Sequence, residues 1–183
     1  MRTEAVLLLS LLVWLTYAEH LTLTALLSDD DGKLFYECWE IDSFTKYPTV
    51  GMAVPDFAQV SNISWVVLPP RSTEGYHKPP HPMLFVLLSG LAHVTVPASG
   101  LEELWIGEGD VMIAADTIGK GHITDYPLDK ESHALQIPFK DGTLPAHRVI
   151  KAGICHSTVT VEDGSRPTSP EMLGDQQPLT NSA

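Results

Sequence analysis

Three histidines and a tyrosine near the middle of the chain are the residues best suited to chemistry. His77 and His81 lie in the segment GYHKPPHPM, and His122 and Tyr126 lie in the segment GHITDY. Sites that combine imidazole and oxygen ligands bind Fe, Mn, Ni, Cu or Zn, and a free imidazole transfers protons near neutral pH. The two segments therefore predict either a metal site or an acid–base site.

Alternation along an extended chain decides which side chains can share a pocket, because every second side chain points to the same face. The rule groups two sets of residues: His77, His81, Met83 and Phe85 on one face, and His122, Thr124 and Tyr126 on another. Four extended residues span about 13 Å, whereas two ligands of one ion lie within about 4 Å of each other. His77 and His81 can therefore share an ion only if the chain bulges between them.

Three alternatives for these histidines stay open. The first is a metal site formed by His77, His81 and His122. The second is a pair of His77 and His122 that binds no metal or binds one weakly. The third is that they are surface or packing residues.

Neighbouring residues predict the acid–base partners and the substrate pocket. Asp116 precedes a glycine-rich turn and could orient His122 or act as a carboxylate base, with turn formation as the alternative. The Tyr126 hydroxyl beside an imidazole could transfer protons. An apolar pocket for a small molecule is predicted from a further set of residues: Met83, Phe85, Thr124 and Trp65, the last of which core packing would also explain.

The order of these motifs resembles that of the cupin superfamily. The first cupin motif reads G-x5-H-x-H-x3–4-E-x6-G. When the chain is aligned on Gly90, His77 matches the first histidine, whereas Pro79 and Met83 stand at the second histidine and the glutamate. This motif is therefore matched only in part.

The second cupin motif reads G-x5-P-x-G-x2-H-x3-N and is also matched in part. Gly119 and His122 supply the G-x2-H, while Thr117 and Tyr126 replace the proline and the asparagine. The stretch DTIGKGH, residues 116–122, is similar to one found in a group of small single-domain cupins. The resemblance covers about residues 30 to 140 and implies a single cupin barrel of the jelly-roll type.

The resemblance also implies a class of function. Small single-domain cupins occur among tailoring proteins of microbial, notably fungal, natural-product pathways. This implies an enzyme of secondary-metabolite biosynthesis that acts on an apolar, polyketide-like substrate as a metal-dependent oxidoreductase, with one divalent Fe, Mn, Ni, Cu or Zn ion held by His77, His81 and His122. The alternatives are a metal-free acid–base isomerase, dehydratase or cyclase that uses the same pocket, and a secreted cupin that binds without turnover.

Short apolar segments separated by turn residues must position these side chains. Such segments at a spacing of about 8–12 residues predict an all-β sandwich or barrel, and a Ser89-Gly90 pair predicts a tight hairpin turn between two of them. The segments are Leu34–Ile41, Ile63–Leu68, Leu84–Leu88, Leu91–Val96, Leu104–Ile106, Val111–Ala114, Ile123–Tyr126 and His133–Ile137. The stretch Val149–Val161 predicts one more strand, or a short helix and a strand.

The termini and the length set the domain organisation. Residues 1–18 combine Arg2, an apolar run and a small-residue end at Ala18, a pattern that predicts a helical secretory signal. The alternatives are an uncleaved helix on a membrane surface and an apolar arm that packs on the domain. The 183 residues are enough for one domain, which we assign to residues 19–161. Residues 162–183 are polar and hold three prolines, which predicts a disordered tail. Because of the predicted signal in residues 1–18, the chain is expected to be secreted.

Charge and cysteine content limit the partners. The 11 Lys and Arg residues against 23 Asp and Glu residues give a net charge of −12, which argues against binding to nucleic acid. Cys38 and Cys155 could pair or could be two separate buried thiols. Asn62-Ile63-Ser64 is a glycosylation sequon in a strand-like stretch. Exposed sheet edges make a homodimer possible.

Overall fold

A computed structural model describes residues 20–46 and 51–155 of the chain. The predicted signal segment, residues 1–18, and the predicted disordered tail, residues 162–183, lie outside these described residues. Within the described ranges, no helix is long and apolar enough to cross a membrane.

The described residues form thirteen strands and one short 3-10 turn at Lys140–Gly142. In chain order the strands are β1 (His20–Ser28), β2 (Leu34–Ser43), β3 (Thr45–Lys46), β4 (Met52–Ala53), β5 (Ser64–Leu68), β6 (Ser72–His77), β7 (Met83–Ser89), β8 (Ala92–Thr95), β9 (Leu104–Ile106), β10 (Val111–Ala115), β11 (His122–Tyr126), β12 (Ser132–Pro138) and β13 (Arg148–Ala152). The predicted all-β architecture is confirmed for this part of the chain.

Two sheets make up the barrel. The larger sheet has the order β13-β2-β1-β10-β7-β12-β5, the smaller has the order β6-β11-β8-β9, and β3 and β4 form a separate ribbon. β1 pairs in parallel with β10, while the other pairs are antiparallel. A double-sheet arrangement of this kind is a jelly roll.

The core explains why the central strands read as continuous apolar runs. One cluster lies between the two sheets and takes residues such as Leu26 and Phe85 from the larger sheet and Val94 and Ile106 from the smaller. A second cluster covers the opposite face of the larger sheet around Trp39. The strands β1, β10 and β7 are therefore buried on both faces, which favours apolar residues at successive positions.

The predicted hairpin at Ser89-Gly90 is wrong. β7 pairs with β10 and β12, whereas β8 pairs with β9 and β11, so the chain passes here from one sheet to the other. Gly90 has a φ of 102° and a hypothetical Cβ on it would lie 2.1 Å from Ser132 Oγ. Only glycine allows this close crossing over β12.

A disulfide joins Cys38 on β2 to Cys155, three residues after β13 ends. Both cysteines are buried, and 117 positions separate them in the sequence. The first of the two alternatives drawn from the sequence, pairing, is therefore the one observed. The bond therefore closes a covalent loop that contains most of the described barrel.

Candidate functional site

The candidate site is a small pocket that opens between the two sheets. Its cavity volume is about 90 Å³. Its lining combines a few polar side chains with an apolar wall: Glu74, His77, Lys78, Pro79, Pro80, Met83, Phe85, Val94, Ile106, Met112, Ala114, His122, Thr124, Tyr126 and Gln136. Pockets that bind small molecules usually have this composition, a mainly apolar lining with a few polar groups.

A buried aspartate orients the innermost histidine of this pocket. His122 is the first residue of β11, and Asp116 lies just before the turn that leads into that strand. His122 Nδ1 donates a hydrogen bond to Asp116 Oδ2 over 2.7 Å, with Asp116 wholly buried. Because Nδ1 holds the proton toward the carboxylate, Nε2 is the nitrogen left with a lone pair for a ligand.

A β-bulge brings His77 and Glu74 to the same pocket. His77 pairs with His122 and Glu74 pairs with Thr124, so three steps along β6 oppose two steps along β11. The extra residue reverses the alternation within β6. Glu74 and His77, which are three positions apart, therefore lie on the same face. In a regular strand they would lie on opposite faces.

Both ring nitrogens of His77 face hydrogen-bond acceptors. Nδ1 donates to the carbonyl oxygen of Gly75 over 2.9 Å, and Nε2 lies 3.2 Å from Glu74 Oε2. The rings of His77 and His122 stand 4.4 Å apart, centroid to centroid, at an interplanar angle of 61°. The pocket thus holds two neighbouring imidazoles with different hydrogen-bond surroundings.

Gly121 allows the strands that carry the two histidines to approach. Its φ is +79°, and a hypothetical Cβ on it would lie 1.8 Å from the carbonyl oxygen of His77. No side chain fits at that distance, and the left-handed backbone itself favours glycine. The glycine of the GKGH segment therefore has a direct structural role beside the site.

Tyr126 and Thr124 complete the polar wall contributed by β11. Both are buried, and both line the pocket with His122. Burial, and secondarily the Glu74 carboxylate, raises the pKa of Tyr126 above its ordinary value. Its hydroxyl consequently keeps its proton throughout the physiological pH range and can act as a donor.

Most of the predicted site residues meet in this pocket. The structure brings together His77, His122, Tyr126, Met83, Phe85 and Thr124 as lining residues, with Asp116 behind His122. His81 is the exception among the histidines, because it lines the adjoining groove with Asn62, Ser64 and Phe139 instead of the pocket itself. β6 ends at His77 and the next strand, β7, belongs to the other sheet, so strand alternation does not extend across the two prolines.

Trp65 also lies outside the pocket, contrary to its prediction as a pocket residue. The side chain is 63% exposed, and its indole Nε1 donates to His133 Nδ1 over 3.3 Å. On β5 it is Val66 that packs toward the core between the sheets. Because neighbouring residues on a strand point to opposite faces, Trp65 must point outward.

The described residues do not assemble the predicted metal site. Within residues 20–46 and 51–155, no group of three or more His, Cys, Asp or Glu side chains is arranged to hold an ion. His77 and His122 lie together, but His81 lines the other groove and Met83 stands at the position of the motif glutamate. The three proposed ligands, His77, His81 and His122, are therefore not brought together in one place.

Sequence reasoning missed several lining residues, of which Glu74, Lys78 and Gln136 carry polar groups. Glu74 was hidden by the bulge, since unbroken alternation puts it on the face opposite His77. Lys78 follows β6, and Gln136 lies on β12, where its pairing with Phe85 on β7 could not be read from one sequence. Lys78 and Glu74 thus add one cation and one anion to the pocket lining.

No protein-family model and no curated protein matches the chain. Similar solved structures include a conserved protein of unknown function from Streptococcus pyogenes, at 22% identity and a TM-score of 0.32, covering 43% of this chain and 62% of that one. They also include a cupin 2 conserved barrel domain protein from Salinispora arenicola, at 20% identity and a TM-score of 0.33, covering 52% and 71%. A third is the cupin domain of CENP-C from Drosophila melanogaster, at 13% identity and a TM-score of 0.32, covering 67% and 78%. The chain spans less than two thirds of the first of these proteins, and the jelly-roll assignment rests on the strand order itself.

Proposed function

We propose that the chain is an enzyme that transfers a proton on a small apolar molecule, with His122 as the general base. The observation that carries the proposal is the 2.7 Å hydrogen bond between His122 Nδ1 and the buried Asp116 carboxylate. This bond holds the imidazole in the tautomer whose Nε2 can accept a proton. A carboxylate that orients a histidine also stabilises the imidazolium formed in the reaction.

The proton that His122 accepts comes, in this proposal, from a carbon next to a carbonyl group. The electrons of the broken C–H bond move into the carbonyl and leave negative charge on its oxygen. Tyr126 supports this step because its hydroxyl lines the same pocket and keeps its proton. A donor placed where charge develops is worth more in a water-poor pocket than in water.

The return of the proton defines the reaction class. His122 delivers it to a different carbon, which gives an isomerisation, or to a hydroxyl group that leaves as water, which gives a dehydration. His77 is the second group, because its ring lines the same pocket beside His122 and its Nε2 lies 3.2 Å from the Glu74 carboxylate. Two imidazoles in different surroundings can divide the acid and base roles.

The size of the pocket limits what reaches His122. A cavity of about 90 Å³ is below the roughly 300–1,000 Å³ of sites that enclose a drug-sized ligand. It admits only the reactive end of a larger molecule. The open groove that shares Pro80, Met83 and Gln136 with the pocket supports binding of the remainder there. A polyketide-like substrate from a natural-product pathway, implied by the cupin resemblance, fits this arrangement.

The metal-dependent oxidoreductase implied by the resemblance stays a prediction. His77 and His122 are the only two of its three proposed ligands that line the pocket, so we assign no step to a metal. Measurement of Fe, Mn, Ni, Cu and Zn in the purified protein by elemental mass spectrometry tests it directly.

We also propose that the chain folds in an oxidising compartment, in keeping with the predicted signal segment. The Cys38–Cys155 disulfide supports this location, because such bonds persist in secreted proteins and are rare in the cytosol. A homodimer stays a prediction, for which the larger sheet offers two terminal strands, β13 and β5.

Deuterium exchange tests the proposed chemistry. The metal-stripped protein is incubated in D₂O with a panel of small cyclic ketones and β-hydroxy ketones, and NMR follows exchange at the carbon next to the carbonyl and loss of water. His122→Ala should lower the rate by about 10²- to 10⁴-fold. His133→Ala is the matched control, because His133 contacts Trp65 on the outer face.

Two outcomes would contradict the proposal. Exchange or dehydration that depends on an added metal ion would show that the histidines alone do not supply the chemistry. Binding of several panel members without exchange or dehydration would favour a binding protein without turnover.

A further inference from the structure

The one glycosylation sequon of the chain lies on a stretch whose residues are all exposed. The chain has two asparagines, and only Asn62 is followed by the pattern x-Ser, because Asn181 is followed by Ser182 and Ala183. Residues 61–65 are all exposed, and β5 begins at Ser64. The folded barrel can therefore carry a large group on Asn62 without rearrangement.

The strand that follows Asn62 presents an apolar surface at the end of a sheet. Ile63, Trp65 and Val67 are 60%, 63% and 51% exposed. β5 is one of the two terminal strands of the larger sheet. Within the described residues it pairs with β12 on one side and with no strand on the other. A terminal strand with exposed apolar residues pairs readily with other chains unless something blocks it.

We propose that Asn62 carries an N-linked oligosaccharide and that this oligosaccharide shields the β5 edge. Asn62 directly precedes the exposed Ile63, so a glycan attached there begins at the N-terminal end of the apolar stripe. A bulky, hydrated group at one end of a terminal strand prevents a second strand from lying along it. The surface would otherwise be an unprotected edge in a secreted protein.

The modification is a glycosyl transfer from an oligosaccharide linked to a polyprenyl pyrophosphate. The Asn62 side-chain nitrogen forms a bond to the anomeric carbon of the sugar, and the bond from that carbon to the pyrophosphate oxygen breaks. The lipid pyrophosphate leaves with the electron pair, and the amide nitrogen gives up one proton to a base of the transferase. The sequon requires a hydroxyl at Ser64 for recognition.

The proposal rests on the oxidising location proposed above and is independent of the proposed chemistry of the pocket. The sequon, the exposure of residues 61–65 and the disulfide are separate observations. Asn62 also lines the groove beside the pocket, so its glycan would stand at the outer rim of that groove.

The test uses the full 183-residue chain expressed in a eukaryotic host. The intact mass is measured before and after treatment with peptide-N-glycosidase, which converts a glycosylated asparagine to aspartate that peptide mass spectrometry can locate. The glycan mass should be present in the wild type, lost in Asn62→Gln and Ser64→Ala, and retained in Ser64→Thr. That last variant preserves the sequon and serves as the matched control.

Sedimentation velocity then tests the shielding. Asn62→Gln should self-associate at a concentration about tenfold lower than the glycosylated wild type. Adding Trp65→Ser to Asn62→Gln should abolish that association, because it removes the largest exposed apolar group of the edge.

Each contrary result identifies what has failed. A secreted chain with the disulfide formed but Asn62 unmodified would overturn the glycosylation. A chain that stays in the cytosol with reduced thiols would overturn the glycosylation, because the oxidising location on which it rests would be wrong. A glycosylated chain that associates as readily as Asn62→Gln would overturn the shielding.

Discussion

His122 and Asp116 form a buried dyad in which Nδ1 of the imidazole donates to Oδ2 of the carboxylate over 2.7 Å. The other carboxylate oxygen, Oδ1, is buried and has no hydrogen-bond partner among the described residues. The carboxylate thus makes one directed contact, and that contact decides which imidazole nitrogen faces the pocket. The reactivity proposed for the site depends on this single bond.

Asp116→Asn should remove the tautomer preference while keeping the side-chain shape. The asparagine amide can donate to Nδ1, which favours the tautomer with the proton on Nε2 and leaves no base in the pocket. We expect the exchange rate to fall by about 10²- to 10⁴-fold, and the ¹⁵N chemical shifts of His122 to report the switched tautomer. Asp125→Asn is the control, because Asp125 accepts from Thr73 on the exposed surface. An unchanged His122 spectrum in Asp116→Asn would refute the orienting role.

Alternation and turn residues were enough to predict the all-β class and to group His122 with Thr124 and Tyr126. They were not enough to predict which sheet each strand joins. β7 and β8 are adjacent in sequence, yet they belong to opposite sheets, a crossing that depends on packing against Ser132 rather than on a local turn signal.

The candidate site shows the same limit at two places. Periodicity assigned His81 to the face of His77, but β6 ends at His77 and the alternation ends with it. The periodicity also hid Glu74, because a bulge in β6 changes the face on which it lies. Both errors arise from backbone irregularities, which a single sequence does not reveal.

Gly121→Ala should disturb the approach of the two strands that hold the histidines. The added Cβ would lie 1.8 Å from the His77 carbonyl oxygen, and the left-handed φ adds strain. We expect the free energy of unfolding to fall by about 1–3 kcal/mol, measured by urea denaturation. Gly75→Ala is the matched control, since Gly75 lies on β6 and a Cβ there would contact nothing within 4 Å. Equal losses in both variants would show that the close approach at Gly121 is unimportant.

Tyr36→Phe should stabilise the barrel at neutral pH. The Tyr36 hydroxyl is buried without a hydrogen-bond partner among the described residues, and an unpaired buried polar group costs about 1–3 kcal/mol. Removing the hydroxyl should therefore raise the free energy of unfolding by about 1 kcal/mol, provided the ring packs as before. A loss of stability at pH 8 would show that the hydroxyl makes a stabilising contact.

The same variant should change the response to alkali. Burial, and then the carboxylates of Asp116 and Glu102, raises the pKa of Tyr36 above its ordinary value of 10.0. The folded state therefore keeps this proton to a higher pH than the unfolded chain, so the associated stability is present below pH 10 and is lost as the pH rises further. Between pH 9 and pH 11 the wild type should lose up to about 1.4 kcal/mol more than Tyr36→Phe. Parallel urea titrations at the two pH values measure the difference, and equal alkaline losses would contradict the predicted linkage.

The double variant Cys38→Ala/Cys155→Ala should lose a large share of the stability. The disulfide joins residues 117 positions apart, and closing so long a loop restricts the unfolded chain strongly. Removing a native disulfide typically costs about 2–4 kcal/mol, which urea denaturation would register as a lower midpoint. Reduction of the wild type under native conditions should give the same midpoint, because the alanines fill the buried positions with little strain. If the reduced wild type and the double variant both kept the original midpoint, the bond would contribute nothing to the stability of the fold.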